Sequence, residues 1–416
     1  MDFGHDQRTE ELREQLLAFM DERVHLAEPV FAEQLDRLED RWAWSETPVL
    51  RELQAEARRR GLWNLFLPGS LGAGLTNLQY APLAEITGRS LGLAPAALNC
   101  AAPDTGNMEL LATFGTADQK RRWLEPLLAA RIRSSFAMSE PDVASSDATN
   151  IRTRIERDGD GDSGHYVING RKWWITGAMN PNARIFIVMG RTDPGADRHR
   201  QQSMVLVPRD TPGVVIRRAM HVFGYDERDH GGHADLELRD VRVPVGNRVG
   251  GEGDGFAIAQ ARLGPGRIHH CMRAIGSAEV AIELMCARAN ERVAFGRKLS
   301  EQGVIREWIA ESRVRLEQLR LLVLKTAWLM DTLGNRGAHT EIQAIKIATP
   351  QTVEWILDKA IQVHGAAGLS QDFRLAAAFA HNRTLRFADG PDEVHKNALA
   401  KAELRRQLDG IPRHSP

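Results

Sequence analysis

Cysteine is scarce in this sequence, and the few cysteines present exclude several kinds of site. The 416 residues contain three, Cys100, Cys271 and Cys286, with no CxxC pair. Disulfide frameworks and zinc sites need cysteines at close, paired spacing, so we expect neither. We therefore predict that the protein holds no metal and comes from a reducing compartment, most simply the cytoplasm.

Long apolar runs and a charge excess are lacking too. No stretch approaches the roughly 18 apolar residues of a membrane-spanning helix, and the N-terminus MDFGHDQRTEELREQ has no apolar signal core. Lys and Arg number 54 against 55 Asp and Glu, so neither nucleic acid nor an acidic membrane is an expected partner. No Gly-rich strand-to-helix turn of the dinucleotide type is found, which argues against a Rossmann domain.

The patterns that are present predict three regions, residues 1–132, 133–248 and 249–416. The first has helical spacing of apolar residues, including a helix over 45–60 with Ser45 as N-cap and Gly61 at its end. In the second, short β-branched segments such as HYVING, RIFIVMG and SMVLVP predict an antiparallel barrel or sandwich. In the third, helical patterns over 266–295, 304–333, 341–364 and 374–387 are typical of a four-helix bundle. The predicted fold class is α+β.

The stretch LRFADGPDEVH (385–395) contains the strongest candidate for a catalytic group. Asp389 follows the last predicted helix, on a turn that contains Ala388, Gly390 and Pro391. A carboxylate on such a turn is held by rigid elements and can face a cleft. The alternative is a simple helix stop, because Asp, Gly and Pro are common there.

Two further segments lie in the β region. The loop FAMSEPDVASSDATN (136–150) presents serines and backbone N–H groups that could bind a ring edge or a diphosphate, or could form a polar turn. On the strand KWWIT (172–176), period-2 alternation predicts Lys172 and Trp174 on one face. Trp174 could lie against a flat heteroaromatic ring, although filling the core is the commoner role of a strand Trp.

Two segments at helix ends complete the set. ERVAFGRKL (291–299) offers Arg292, which could pair with a diphosphate or be an ordinary basic helix terminus. QVHGAAGL (362–369) passes into small residues that allow close backbone approach to a ligand, or form a C-cap. His230 and His233 in HGGH could order a lid, but a structural role in a turn is favoured.

In this order, these segments resemble the acyl-CoA dehydrogenase family from about residue 10 to 405. FGTADQKRRWLEPLL, FAMSEP with SSD, KWWIT, RVAFGRKL and QVHGAAG are similar to its motifs, although DVASSD is one residue longer than the usual GAGSD. HGGH, GRIHHCM and ADGPDEVH resemble the branch containing human family members 10 and 11. Human proteins of that branch carry a kinase-like domain, which we do not expect here.

The resemblance implies roles for individual residues. Asp389 would be the catalytic base, where most of the family has Glu. FAD would be held by Met138, Ser139, Ser145, Trp174 and Thr176 of one subunit and by Arg292, Phe295, Gln362 and Gly365 of a neighbour. Pro391, Asp392 and Glu393 would contact the flavin after the base, with Pro391 in place of a common Thr. Ser146, Arg267 and Gly390 would lie near the acyl-CoA.

The implied reaction is α,β-dehydrogenation of acyl-CoA to trans-2-enoyl-CoA in fatty-acid oxidation, with the β-hydrogen leaving as hydride to flavin N5. Electron-transferring flavoprotein would accept the electrons, and the subunit-spanning FAD site implies a homodimer or homotetramer. Ala388 before the base and the small residues of APAALNCAAPDTG (94–106) favour a long, branched or hydroxylated acyl chain. The alternatives are an oxidase using O2, a non-catalytic acyl-CoA or flavin-binding protein, and a colourless helical scaffold.

Overall fold

The computed structural model describes residues 4–410, and its elements follow the predicted order of helices, strands and helices, which confirms the α+β class. The helices before the sheet are α1 Gln7–Phe19, α2 His25–Asp36, α3 Pro48–Arg59, α4 Asn77–Gly88, α5 Ala94–Ala97, α6 Asp104–Phe114, α7 Ala117–Gln119 and α8 Glu125–Leu128. Those after it are α9 Gly255–Glu291, α10 Gly303–Gly337, α11 His339–His364, α12 Leu375–Thr384 and α13 Asp392–Gly410.

The central sheet is antiparallel except at two strand pairs. Its strands are β1 Arg133–Ala137, β2 Arg154–Asp158, β3 His165–Thr176, β4 Ala183–Arg191, β5 Gln202–Pro208, β6 Val214–Met220, β7 His233–Pro244 and β8 Arg248–Val249. They lie in the order β6-β7-β3-β2-β4-β5-β8, and both β1 and β2 pair parallel with β4. The sheet is therefore mixed. A small separate hairpin consists of β9 Val293–Ala294 and β10 Arg297–Lys298.

Alternating residues of the sheet form its core. Phe186 and Val188 on β4 and Val205 and Val207 on β5 are completely buried. Because they are two residues apart on each strand, they lie on the same face of the sheet. Each such side chain stabilises the fold by about 1.5–3 kcal/mol through burial.

The described residues divide between two compact units. The first consists of residues 14–75 and 92–266. The second consists of residues 4–13, 76–91 and 267–410. The second unit is helical, with α4 and α11 both packed on α10. The predicted limits 1–132, 133–248 and 249–416 remain a prediction, and residues 1–3 and 411–416 of the outer two lie outside the description.

Two glycines permit a close helix crossing in the helical unit. A Cβ on Gly88 of α4 would lie 2.0 Å from the carbonyl oxygen of Arg273, and one on Gly276 of α9 would lie 1.9 Å from that of Glu85. Any larger residue would force the helices apart. This crossing fixes the part of α9 from which Arg267 and His270 project.

Several predicted helix limits differ from those observed. The helix predicted over 45–60 begins at Pro48, since Ser45 lies in a 3-10 turn, Trp44–Glu46, and is not the N-cap. The helix predicted over 374–387 ends at Thr384, followed by turns. The helix predicted from Gly266 begins at Gly255. Each error falls at a terminus, where local capping and turn geometry decide the limit.

Within residues 4–410, no helix is long and apolar enough to span a membrane. In the same residues, no group of three or more His, Cys, Asp and Glu side chains is arranged to hold a metal ion.

Candidate active site

The turn between α12 and α13 holds Asp389 in a fixed backbone conformation. Ala388 N–H donates to the carbonyl of Thr384 at 2.9 Å, and Gly390 N–H donates to that of Phe387 at 3.1 Å. Asp389 has φ +56° and Gly390 has φ +117°. Asp tolerates the left-handed region better than most residues. The sequence therefore forms the expected turn, but a tighter one than a simple helix stop.

Two cations, one buried and one half-buried, hold this turn through its carbonyl groups. Lys346 on α11 is 2% exposed, and its Nζ donates to the carbonyls of Leu385 at 2.6 Å and Ala388 at 2.7 Å. Arg267 Nε donates to the carbonyl of Asp389 at 2.9 Å. Burial lowers the pKa of Lys346, and nearby Cys271 and Asp389 counteract that effect. The cations thus fix the Asp389 turn through backbone atoms.

The Asp389 carboxylate lies against a histidine of α9. Its side chain is 11% exposed, and Oδ2 is 3.8 Å from Nε2 of His270. That separation is too long for a hydrogen bond. Burial, and then the charge of Arg273, hold the pKa of His270 well below its usual range. His270 is therefore neutral at physiological pH, and Asp389 has a polar neighbour that carries no charge.

A second histidine lies beneath Gly390. His395 is 1% exposed, its Nδ1 contacts Gln343 Oε1, and burial with the charges of Arg267 and Lys346 lowers its pKa to about 4. A Cβ at position 390 would meet His395 Nε2 at 2.8 Å. Glycine is therefore required at this position both by φ and by space.

The residues after Gly390 have different environments. Pro391 is half-buried and Glu393 is exposed. Asp392 is buried, and its Oδ2 accepts from Arg386 Nε at 2.8 Å. The backbone N–H of Asp392 donates to the carbonyl of Arg386 at 3.1 Å, so both its side chain and its N–H are paired within its own unit.

In the sheet-containing unit, a buried ion pair fixes the FAMSEP loop to β3. Lys172 is completely buried, and its Nζ donates to Glu140 Oε1 at 2.8 Å and to the Met138 carbonyl at 2.9 Å. Trp173 N–H donates to the Ser139 carbonyl at 3.0 Å. Met138 and Ser139 are thereby held beside the strand.

The pKa values of this pair follow from burial and contact. Burial lowers the pKa of Lys172 to about 8 against the opposing effect of Glu140. Burial alone would raise the pKa of Glu140, but Lys172 and hydrogen bonds from Thr153 and Arg152 bring it below its usual range. At neutral pH both groups are charged, so the contact is an ion pair.

The two serines of the following loop differ in position. Ser145 Oγ accepts from the backbone N–H of Glu140 at 2.8 Å, so its hydroxyl closes the loop. Ser146 is exposed.

A β-bulge in β3 overturns the predicted alternation of KWWIT. Lys172 pairs with Leu236, and Ile175 pairs with Ala234. An advance of three residues along β3 therefore corresponds to two residues along β7, so β3 contains one extra residue here. Trp174 has φ +53° and is 41% exposed, whereas Lys172 is completely buried. The extra residue turns the Trp174 indole away from the face that Lys172 occupies. Lys172 and Trp174 therefore do not share a face.

Thr176 belongs to a short polar chain next to this bulge. Its Oγ1 is 3.0 Å from Nδ1 of His233, and His233 Nε2 is 2.8 Å from Oε2 of Glu227. The His233 ring lies 5.5 Å from that of Trp174. The preference for a structural role of His233 is consistent with its burial at 8% exposure.

The remaining predicted contacts lie at the ends of α9 and α11. Arg292 directly follows α9 and is exposed, and Phe295 projects from the β9–β10 hairpin with its side chain fully exposed. Gln362 in the last turn of α11 is exposed, and Gly365 ends that helix with φ +65°. The helical unit contains Asp389, Arg267 and Gly390. The sheet-containing unit contains Met138, Ser139, Ser145, Trp174 and Thr176.

Sequence reasoning missed the residues that support these sites. They are Lys346, His270, His395, the Glu140–Lys172 pair and the His233–Glu227 pair. Lys172 lies in KWWIT, His233 lies in HGGH and His270 lies in GRIHHCM. These motifs had been singled out in the sequence, so they offered a signal for these three residues. Lys346 offered only one hint, a lysine that falls among apolar residues in IQAIKIATP.

Three family models match the chain over most of its length. They describe the acyl-CoA dehydrogenase N-terminal domain at residues 6–131, the middle domain at 135–241 and the C-terminal domain at 253–404. The Mycobacterium tuberculosis protein named "Probable acyl-CoA dehydrogenase FadE2" is 54% identical over 98% of each chain. Human acyl-CoA dehydrogenase family member 11 is 54% identical over 88% of this chain, which spans 46% of that protein.

Solved structures show the same fold. A Mycobacterium abscessus protein is 48% identical, with a TM-score of 0.92 over 97% of this chain and 100% of that one. Butyryl-CoA dehydrogenase of Megasphaera elsdenii is 25% identical, with a TM-score of 0.79 over 97% and 100%. These likenesses and the family models agree with the resemblance drawn from the motifs.

Proposed function

The chain belongs to the acyl-CoA dehydrogenase family, and on that premise we propose that Asp389 is the base in FAD-dependent α,β-dehydrogenation of acyl-CoA thioesters. The observation that carries this proposal is the Asp389 turn. A mostly buried carboxylate lies on a backbone that Lys346 and Arg267 hold by its carbonyls. Positioning of this kind lowers the barrier to proton transfer, because the base needs no reorganisation when the substrate binds.

The α-carbon of a thioester is a weak acid, so the base must be held close to the proton that it removes. Arg267 and Lys346 donate to backbone carbonyls of the turn. His270, the histidine beside the carboxylate, is uncharged at neutral pH because burial lowers its pKa. The Asp389 carboxylate can thus accept the α-proton while nearby cations support the enolate-like charge that develops.

FAD is the family's cofactor, and the residues of β3 fit a flat aromatic group. The bulge exposes the indole of Trp174 beside the half-buried hydroxyl of Thr176. We infer that both, with Met138, Ser139 and Ser145, hold FAD within one subunit. Bound FAD supplies a two-electron acceptor for the β-hydrogen.

A neighbouring subunit would complete the FAD site, which implies a homodimer or homotetramer. The residues that the neighbouring subunit would contribute are Arg292, Phe295, Gln362 and Gly365. A fully exposed Phe295 side chain supports this assignment, since a phenyl ring at a hairpin tip gains stability when another molecule covers it. Pro391, Asp392 and Glu393 would contact the flavin.

The substrate would be an acyl-CoA with a long, branched or hydroxylated chain, near Ser146, Arg267 and Gly390. Ala388, the small residue before the base, supports a roomy site. The residues of Ala94–Ala97 are all buried in a short helix, so close packing accounts for their small size. Ala388 is therefore the stronger support for this substrate class.

Electron-transferring flavoprotein would be the electron acceptor, with O2 as the alternative. The test is a turnover assay with acyl-CoAs of increasing chain length and of straight, branched and hydroxylated types. Turnover with electron-transferring flavoprotein and slow oxygen uptake would support a dehydrogenase. Rapid oxygen uptake with hydrogen peroxide release would indicate an oxidase instead.

A further inference from the structure

Three polar side chains follow one another along α9 beside the Asp389 turn. Arg267, His270 and Arg273 are spaced at three-residue intervals, so each is a neighbour of the next on the helix surface. Arg267 donates to the Asp389 carbonyl. His270 Nε2 lies 3.8 Å from Asp389 Oδ2, and Arg273 Nη2 lies 3.3 Å from His270 Nδ1. The last two contacts form a chain from a guanidinium through an imidazole to the proposed base.

Arg273 is a buried cation whose one described polar side-chain contact is this histidine. The side chain is 6% exposed, and within residues 4–410 its Nη1 has no hydrogen-bond partner. The helix crossing fixes its place, because a Cβ on Gly88 would lie 2.0 Å from the Arg273 carbonyl oxygen. A buried charge is costly unless it interacts with an opposite one. Asp389, on the far side of the His270 ring, supplies that opposite charge.

The two neighbours determine where the imidazole carries its proton. A guanidinium has N–H donors and no acceptor, so the ring nitrogen beside Arg273 must present a lone pair. An ionised carboxylate only accepts, so the ring nitrogen beside Asp389 carries the proton. An imidazolium would set an N–H against the Arg273 N–H, and a ring turned by half a revolution would present C–H groups to both partners. The contacts therefore fit one state, a neutral His270 with its proton on Nε2.

The charges around the ring favour the same state. Lys346 of α11 and His381 of α12 face His270 besides Arg273 and Asp389. Burial and then Arg273 hold the pKa of His270 well below its usual range, against the opposing effect of Asp389. The titratable or charged groups that also face Asp389 are Arg267, Cys271, Lys346 and His395.

We propose that His270 is a positioning residue for the base, and that it offers Asp389 Oδ2 an N–H donor whose direction Arg273 fixes. The inference rests on the proposed function, which makes Asp389 the base. Hydrogen bonds to a catalytic base often shorten when substrate binds, so we expect the 3.8 Å separation to close in the complex with acyl-CoA. With Oδ2 held by His270, Oδ1 takes the α-proton. Because Nε2 already carries a proton, His270 cannot relay it.

The first experiment follows the pH dependence of FAD reduction in the holoenzyme. Anaerobic stopped flow records bleaching by palmitoyl-CoA, or by 2-methylpalmitoyl-CoA if that bleaches wild type faster. A donor to a carboxylate favours its charged form, so His270→Phe should move the midpoint of the acid limb to higher pH. The expected rise is about 0.5–1 pH unit, a 3- to 10-fold change that corresponds to one hydrogen bond.

Two further variants separate this role from packing. His270→Gln keeps an N–H donor near the position of Nε2, so its midpoint should stay close to that of wild type. His269→Phe is the matched control on the same helix. That histidine is buried against Tyr80, with 5.0 Å between the ring centroids, and its replacement should leave the midpoint unchanged.

The second experiment needs no acyl-CoA. Nitrogen NMR of the holoenzyme with 15N-labelled histidine reports which ring nitrogen carries the proton, and the signals lost in His270→Gln identify His270. Wild type should show one proton, on Nε2, from about pH 5.5 to pH 8.5, on both sides of the usual histidine pKa. Arg273→Met removes the donor to Nδ1, so the form protonated on Nδ1 should become populated.

The opposite patterns would overturn the inference. An unchanged midpoint in His270→Phe, or equal rises in His270→Phe and His270→Gln, would show that the ring only fills space. A wild-type His270 that takes up a second proton near neutral pH, or that is protonated on Nδ1, would contradict the direction of the donor. Failure of the proposed function is distinct, because wild type would then bind FAD and be bleached by no acyl-CoA before any variant is compared.

Discussion

At the scale of single residues, the proposed base Asp389 is positioned through the backbone that carries it. Lys346 donates to two carbonyls of the turn and Arg267 donates to a third. These hydrogen bonds hold the turn rigid, so the Asp389 side chain starts from a fixed backbone.

Lys346→Met tests this arrangement. Removing the ammonium leaves the carbonyls of Leu385 and Ala388 without their donor, so we expect the free energy of unfolding to fall by about 2–5 kcal/mol. With the turn loosened, kcat should fall about 100-fold and KM should change little. Lys359→Met on the same helix, where Lys359 pairs with the adjacent Asp358, should change stability by less than about 0.5 kcal/mol. Equal kcat in wild type and Lys346→Met would contradict the positioning role.

His395 should make stability depend on pH. Its pKa is lowered from 6.5 to about 4 in the fold, first by burial and then by Arg267 and Lys346. Since the folded value is the lower one, its contribution is complete above pH 6.5 and is lost as pH falls towards 4. The loss amounts to about 3 kcal/mol.

Chemical denaturation of wild type and His395→Asn between pH 7 and pH 4.5 measures this effect. The variant should lose part of the wild-type pH dependence, whereas His221→Asn at an exposed position should retain all of it. Identical pH dependence in wild type and His395→Asn would show that this histidine is not the source.

Asp389 could be singled out from sequence because a carboxylate, a glycine and a proline share one short turn. The contacts that Lys346 and His270 make with this turn could not be predicted, because they depend on how α9, α11 and the turn pack. A 3.8 Å contact between His270 and Asp389 leaves no local pattern in the sequence. Motifs thus pointed to the proposed base, but not to the groups that hold it.

At the scale of elements, one bulge changes the orientation of a whole motif. Period-2 alternation placed Lys172 and Trp174 together, and the extra residue in β3 separates them. The same bulge leaves Lys172 inside to bind Glu140. Bulges have no reliable sequence signal when the residue in the left-handed region is not glycine, as with Trp174.

A double-mutant cycle on the buried ion pair tests how the FAMSEP loop is fixed. Lys172→Met and Glu140→Gln should each lower the free energy of unfolding by about 3–5 kcal/mol, since each leaves a buried charge alone. The double variant should lose about 1–3 kcal/mol less than the sum of the two. Arg198→Met, which breaks an exposed pair with Asp147, should cost less than about 1 kcal/mol. Strict additivity would indicate that the two groups do not interact.

The helix crossing at Gly276 gives a second element-scale prediction. Gly276→Ala places a methyl group 1.9 Å from the Glu85 carbonyl oxygen, so the helices must separate, at a cost of about 1–3 kcal/mol. Gly303→Ala, at the start of α10 with no atom within 4 Å, should be near neutral. Thermal unfolding of both variants gives the comparison, and equal stability would contradict the crossing.

At the scale of the whole molecule, the order of helical, sheet and helical regions could be predicted because periodicity changes near residues 132 and 250. The grouping of residues 76–91 with the C-terminal helices could not. It depends on contacts such as Asn77 N–H to Asp331, which join residues far apart in sequence.

The central claim is that this chain dehydrogenates acyl-CoA with Asp389 as the base. The most direct measurement is an anaerobic titration of the FAD-loaded protein with acyl-CoAs while the oxidised flavin band is recorded, for wild type and Asp389→Asn. Wild type should bleach with one class of acyl-CoA. The variant should bind FAD and acyl-CoA but bleach at least about 1,000-fold more slowly, as loss of a general base predicts. Bleaching of Asp389→Asn at the wild-type rate would contradict the assignment, and wild type that binds FAD and never bleaches would contradict the activity.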